Sequence, residues 1–233
     1  MDLSTPRLKL HRFAYWLVAL CLWLTSHFAA FGQVQVLTEH NDSFRSGANT
    51  SETLLAPRNV NSTFFGKLFT DSVDGFIVGQ PLYLPAIQLP DGTIHNVVYV
   101  ATQHDSVFAF DADSAQPPLW AISFINPSAG ITSVPISDFG CAGTGYTEIG
   151  IMSTPVIDTP TGAIYLVAKT LENGAFVYRL HALSLTTGQD ITPAAVITAS
   201  ATTSSGALQF DSSIQMQRPA LLLSTGSIYV GFG

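Results

Sequence analysis

Three groups of side chains in this sequence could do chemistry. Glu148 stands just before Ile149-Gly150-Ile151-Met152-Ser153-Thr154-Pro155, and a carboxylate there is a candidate calcium ligand, since that ion takes six or more hard oxygen donors. One carboxylate is not a site, and a solvated loop acid is its ordinary alternative. Asp111, Asp113 and Ser114 alternate as oxygen ligands can, but beside a strand end such residues usually bond turn backbone, so turn capping is the expectation. His40, Asp42 and Arg45 could form a polar cluster for a substrate or ligand, against the alternative of a loop ordered by its own hydrogen bonds. Beyond these, His40, His95, His104, His181 and Cys141 have no zinc-ligand spacing, and no phosphate-binding loop or nucleophile elbow is present.

The element that organises the chain is Asn96 to Trp120. Val97, Tyr99 and Ala101 alternate with Val98, Val100 and Thr102, the polar break Gln103–Ser106 suits a hairpin turn, and Val107–Phe110 reads as the partner strand. Leu119–Phe124 supplies a further strand. The unit then recurs. Gln80-Pro81-Leu82, Ser153-Thr154-Pro155-Val156 and Gln217-Arg218-Pro219-Ala220 each place Pro at the start of an apolar run, where a strand tolerates it. Tyr99, Tyr165 and Tyr229 follow in equivalent settings, 66 and 64 residues apart. Phe176–Leu185 and Ala195–Ala199 complete the second unit as its third and fourth strands, with Gly162 and Gly226 in the turns before the second strands.

Four short strands per unit at a fixed pitch are the signature of propeller blades. The expected fold is therefore all-β: a β-propeller of four-stranded antiparallel blades, with units near 76–125, 150–200 and 215–233. Residues 33–75 form an N-terminal segment ahead of the first unit. Two and a half blades do not close a ring, so an incomplete propeller is expected, completed by further sequence or another chain. The pitch exceeds that of compact blades, and Asn126–Ile149 is expected to be a loop insert. Val34–Thr38 and Phe64–Phe69 are expected as short strands, and Ser51–Val60 as a helical turn broken at Pro57.

Residues 1–32 read as a secretory signal peptide. Arg7, Lys9 and Arg12 precede the apolar run Phe13–Leu24, and small residues follow at Ala29, Ala30 and Gly32, with cleavage expected before Gln33. The run is about 12 residues against the roughly 20 of a stable span, so no membrane span is expected after cleavage. The address is export, periplasmic or extracellular. Removal of three basic groups and one acid moves the formal charge from −7 to −9. Lys67, Lys169, Arg45, Arg58, Arg179 and Arg218 remain, singly scattered, which excludes nucleic acid as a partner and leaves a protein or small-molecule ligand. Past the leader Cys141 is the sole cysteine, so any disulfide needs another chain or further sequence. The 18 Gly and 13 Pro suit a turn-rich fold, and 47% hydrophobic residues suffice for a core.

Ala109-Phe110-Asp111-Ala112-Asp113-Ser114 with Trp120 resembles the docking motif Ala-x-Asp-x-x-Thr-Gly-x-x-x-Trp of pyrroloquinoline quinone (PQQ) repeats, found in quinoprotein dehydrogenases and non-enzymatic relatives. Ala115 replaces the motif Gly and Trp120 falls one residue late. The second unit keeps Ala182, Thr187 and Gly188 but has Ser184 for Asp and no Trp. The stretches His40–Gly47, Leu54–Val60 and Phe65–Leu68 are similar to the segment before the first blade in that family. The resemblance implies a docking Trp packed between neighbouring blades. It implies a binding or scaffolding role or, as the alternative, part of a PQQ- and calcium-dependent dehydrogenase of alcohols or sugars. The adjacent cysteines of several such enzymes are absent here.

Overall fold

The computed structural model describes residues 34–139, 145–204 and 206–233; the expected leader and Cys141 lie outside them. Within this range the fold is all-β and antiparallel. Strands β1 (Leu82–Gln88), β2 (Ile94–Ala101), β3 (Ser106–Asp111) and β4 (Trp120–Ser123) pair in chain order as one meander. Register places Leu82, Leu84, Val97, Tyr99, Ala101, Val107, Ala109 and Trp120 on one face, all buried, as the period-2 alternation requires. At the β2–β3 turn the Thr102 N–H donates to the Ser106 carbonyl at 2.9 Å. At the other end β1 bulges: Leu84 faces Val97 but Ile87 faces His95, and Ala86 takes φ +55°.

The expected loop insert is itself partly β. It contributes β5 (Ile131–Pro135) and β6 (Glu148–Ile149), and β5 joins the second sheet beside β8 (Ala163–Glu172). The physical reason is length: β7 (Val156–Asp158) covers only the first residues of the ten-residue β8, so the backbone of Thr170–Glu172 is open to pairing. The meander then runs β7, β8, β9 (Ala175–Ser184), β10 (Ala195–Val196). The β8–β9 hairpin closes at Asn173-Gly174, both at positive φ, as a two-residue turn of this twist demands. Apolar residues fill both faces of β8, with Ile164, Leu166 and Ala168 towards the first sheet and Val167 towards the C-terminal segment, so the strand reads as a continuous apolar run.

Two hairpins follow, β11 (Ser200–Thr203) with β12 (Gly206–Gln209), and β13 (Leu222–Ser224) with β14 (Ser227–Tyr229). The first pair was not expected; its residues are exposed throughout. Among the expected N-terminal elements, Val34–Thr38 makes a single bridge, Val36 to Tyr83, because its next carbonyl, on Leu37, accepts from Ile157 instead. Phe64–Phe69 is not a strand. The Asn61 side chain accepts from the N–H groups of Thr63 and Phe64 and holds a turn, Gly66 interrupts the run, and Phe64 and Leu68 stay 78% and 91% exposed. Ser51–Val60 contains one turn, with the Val60 N–H donating to the Ala56 carbonyl. Among the described residues no helix is long and apolar enough to cross a membrane.

Candidate functional site

The two large sheets meet at Trp120. Its Nε1 donates to the Leu185 carbonyl at 3.1 Å, and the Tyr99 hydroxyl donates to the same oxygen at 3.0 Å. Below the indole lies Gly188, at φ +70°, where an added Cβ would sit 2.5 Å from Cε3 of the ring. The repeat motif residues thus meet across units: Trp120 of the first lies on the Thr187-Gly188 turn of the second. Ala109 and Ala182 occupy equivalent places, opposite Tyr99 and Tyr165. Burial pushes the Tyr99 phenol well above its ordinary pKa.

Asp111 sits at the end of β3. Its Oδ1 accepts from the Asp113 N–H at 2.8 Å and the Ser114 hydroxyl at 3.5 Å, and its Oδ2 lies 2.5 Å from His95 Nδ1. The His95 hydrogen bond, then the backbone donor, hold its carboxyl below the usual range. Asp113 takes the Asn96 amide at 2.8 Å. This geometry closes a turn. In the N-terminal loop Arg45 is tied down: Nη1 reaches Thr38 Oγ1 (2.8 Å) and the Glu39 carbonyl (2.9 Å), while Nη2 reaches the Leu221 carbonyl (3.0 Å). Asp42 caps Ser46 through its hydroxyl and N–H, and the His40 N–H donates to Gln80 Oε1 at 2.9 Å. The three residues order a loop and anchor it to the C-terminal segment.

Polar groups gather at the β2–β3 end of the sheets. Glu148 binds His104 Nδ1 at 2.9 and 3.1 Å through its two oxygens. Asp74 accepts from the hydroxyls of Thr102 (2.9 Å) and Ser106 (2.5 Å). Between them Asp105 is fully buried; its Oδ1 accepts from the Lys169 N–H at 3.2 Å and its Oδ2 has no partner among the described residues. Burial pushes its carboxyl well up, against the Lys169 N–H and helped by the charges of Glu148 and Asp74. Gly150 lets this turn approach, since a Cβ there would run into the Gln103 carbonyl and the Asp105 carboxyl.

Lys169, also fully buried, lies on the opposite face of β8 from the first sheet. Its Nζ donates to the Ser212 carbonyl at 2.8 Å and stands 3.5 Å from the centroid of Phe139, 4.6 Å from Tyr178 and 5.3 Å from Phe176. Burial lowers its pKa to about 8, and that of Tyr178 rises to about 12. Sequence reading did not single out Asp105 or Lys169. A lysine inside Val167-Ala168-Lys169-Thr170-Leu171 was a usable signal; an Asp in a polar turn was none.

These residues do not fit calcium or PQQ. Among the described residues no group of three His, Cys, Asp or Glu could hold one metal ion, Glu148 is engaged by His104, and Asp74 by two hydroxyls. A polyanionic quinone needs convergent cations, but of the six past residue 33 Arg45 bonds Leu221, Arg179 pairs with Glu172, Arg218 reaches the Met152 carbonyl and Lys169 is enclosed, which leaves only Arg58 and Lys67, both exposed on the N-terminal segment. No protein family, curated protein or solved structure matches the chain.

Proposed function

We propose that the chain is an exported PQQ-repeat-like β-propeller protein with a binding or scaffolding role, acting through the loops at the β2–β3 end of its sheets. The observation that carries the reading is the Trp120 contact, in which one repeat unit docks on the Leu185 carbonyl and Gly188 of the next. Further support comes from the first strands of successive units, which lie side by side. Thr154 joins all three, its hydroxyl accepting from the Gln80 N–H at 2.9 Å and its carbonyl from the Leu221 N–H at 3.1 Å. Innermost strands around a propeller axis have that relation.

Electron microscopy of the native protein recovered from the exported fraction tests the architecture. Disc-shaped particles with a central channel are expected, and particles without radial blades refute it. Added PQQ and calcium are expected to give no dye reduction with alcohols or sugars; turnover would instead establish a dehydrogenase.

A further inference from the structure

At the opposite end of the sheets from the polar turn lies a cavity of about 550 Å³, within the range of small-molecule sites. Its walls are the bulged end of β1, the β7–β8 turn and the chain just past β9. We infer that this cavity is a binding site for a small uncharged polyhydroxylated ligand, of the size of a mono- or disaccharide. The inference goes beyond the proposed function, because every wall residue falls between Gln35 and Ile191 and does not depend on how any ring closes.

The lining carries the argument through its chemistry. No charged side chain is among the lining residues, which disfavours ions and polyanions, for which desolvation would go uncompensated. Polar groups instead come as hydroxyls and amides. Ser184 Oγ accepts from the Thr186 N–H at 3.3 Å and lies 3.1 Å from Thr186 Oγ1, either hydroxyl donating, so one site on Ser184 Oγ and two on Thr186 Oγ1 are left for a ligand. Gln35 and Gln88 stand exposed on the rim with full amide capacity to donate and accept. Ile87, half-buried at the bulge, supplies an apolar surface suited to the C–H face of a sugar ring.

The backbone around the cavity is strained and fixed. Ala86 lines the cavity at φ +55°, a conformation costing a residue with a Cβ about 1 kcal/mol or more, and such outliers concentrate at ligand sites. The strain is held in place: the Ala86 N–H donates to Asn96 Oδ1 at 3.1 Å, and the Asn96 amide is fixed in turn by Asp113. On the far wall, Leu185 is pinned by its N–H to the Gly162 carbonyl at 3.0 Å and by Trp120 and Tyr99 at its own carbonyl. Both walls are therefore preorganised, which lowers the ordering cost of binding.

Isothermal titration calorimetry of the full protein with glucose, maltose, trehalose and glucose 6-phosphate tests this. Saturable millimolar or tighter binding of at least one neutral sugar is expected, with the phosphate ester weaker. The rim variant Q35A/Q88A should lose about tenfold in affinity, and I191W, which fills the cavity from an exposed position, should abolish binding. Thermal unfolding of both variants should match the parent, separating lost binding from lost folding. No saturable binding of any neutral sugar, preference for the phosphate ester, or undiminished binding by folded I191W would overturn the inference.

Discussion

Replacing Trp120 and Gly188 with Ala, singly and together, should reveal one shared contact. The indole is 9% exposed, so W120A empties most of a ring's volume and should destabilise by about 3–5 kcal/mol. The Leu185 carbonyl keeps the Tyr99 hydroxyl, so no buried acceptor is orphaned and the cost is chiefly cavity. G188A meets two penalties. At φ +70° a Cβ costs about 1 kcal/mol, and 2.5 Å from Cε3 it forces the ring to move, adding about 1–3 kcal/mol. In the double variant the ring is gone and only the backbone penalty of G188A remains. The two changes should therefore be non-additive by about 1–3 kcal/mol, measured by urea unfolding followed by circular dichroism. Additivity within about 0.5 kcal/mol would show that Trp120 does not rest on Gly188, and the docking argument would fail with it.

Lys169 is held with its pKa near 8 against 10.5 when free, so the unfolded chain binds more protons between those values and stability should rise with pH there. The gain should be about 1–2 kcal/mol from pH 8 to 9.5, read from urea midpoints, and absent in K169M; a flat parent profile would contradict the burial of Lys169. G150A pushes a Cβ into the Gln103 backbone carbonyl, which cannot swing aside, so a loss of about 3 kcal/mol or full unfolding is expected from thermal melts, and a wild-type melt would refute that contact. R45A removes three charge-assisted hydrogen bonds and should cost about 2–3 kcal/mol in urea unfolding, whereas a loop Arg kept for ligand contact would leave stability unchanged.

Where a strand buries one face and pairs on both sides, its sequence announces it. Val97-Val98-Tyr99-Val100-Ala101 and Ile164-Tyr165-Leu166-Val167-Ala168 were legible as strands, and the Pro and Tyr recurrence placed their partners. The failures come from competition for backbone partners, which residue type alone does not reveal. Phe64–Phe69 has apolar residues, but Asn61 offers its backbone a local alternative. Ile131–Pro135 looked like part of a loop, yet it lies where a short β7 leaves the last residues of β8 unpaired. The candidate site was less legible than the fold. His40, Asp42, Arg45 and Asp111 were visible as polar residues in turns, and the side chains of Asp42, Arg45 and Asp111 hold those turns, while His40 takes part through its backbone. Asp105 and Lys169 become distinctive only through what surrounds them, a long-range property that spacing along the chain does not encode.

The two ends of the sheets make different demands on the chain. At the β2–β3 end Gln103 Oε1, Asp105 Oδ2, Ser153 Oγ and Gln217 Oε1 are buried without a partner among the described residues. Ser153 and Gln217 stand two residues before the prolines that open equivalent strands, Pro155 and Pro219. The residue at that place in the first unit is Gly79, which has no side chain to satisfy and packs where a Cβ would meet the Ser153 carbonyl at 2.7 Å. Polar burial thus occurs at the same place relative to the proline in two of the three segments, so it cannot be put down to a single misplaced side chain. The bulged end carries its cost differently, in the backbone of Ala86 and around an open, uncharged cavity. A fold that only had to be stable would carry neither burden, so these two ends are where binding should be sought.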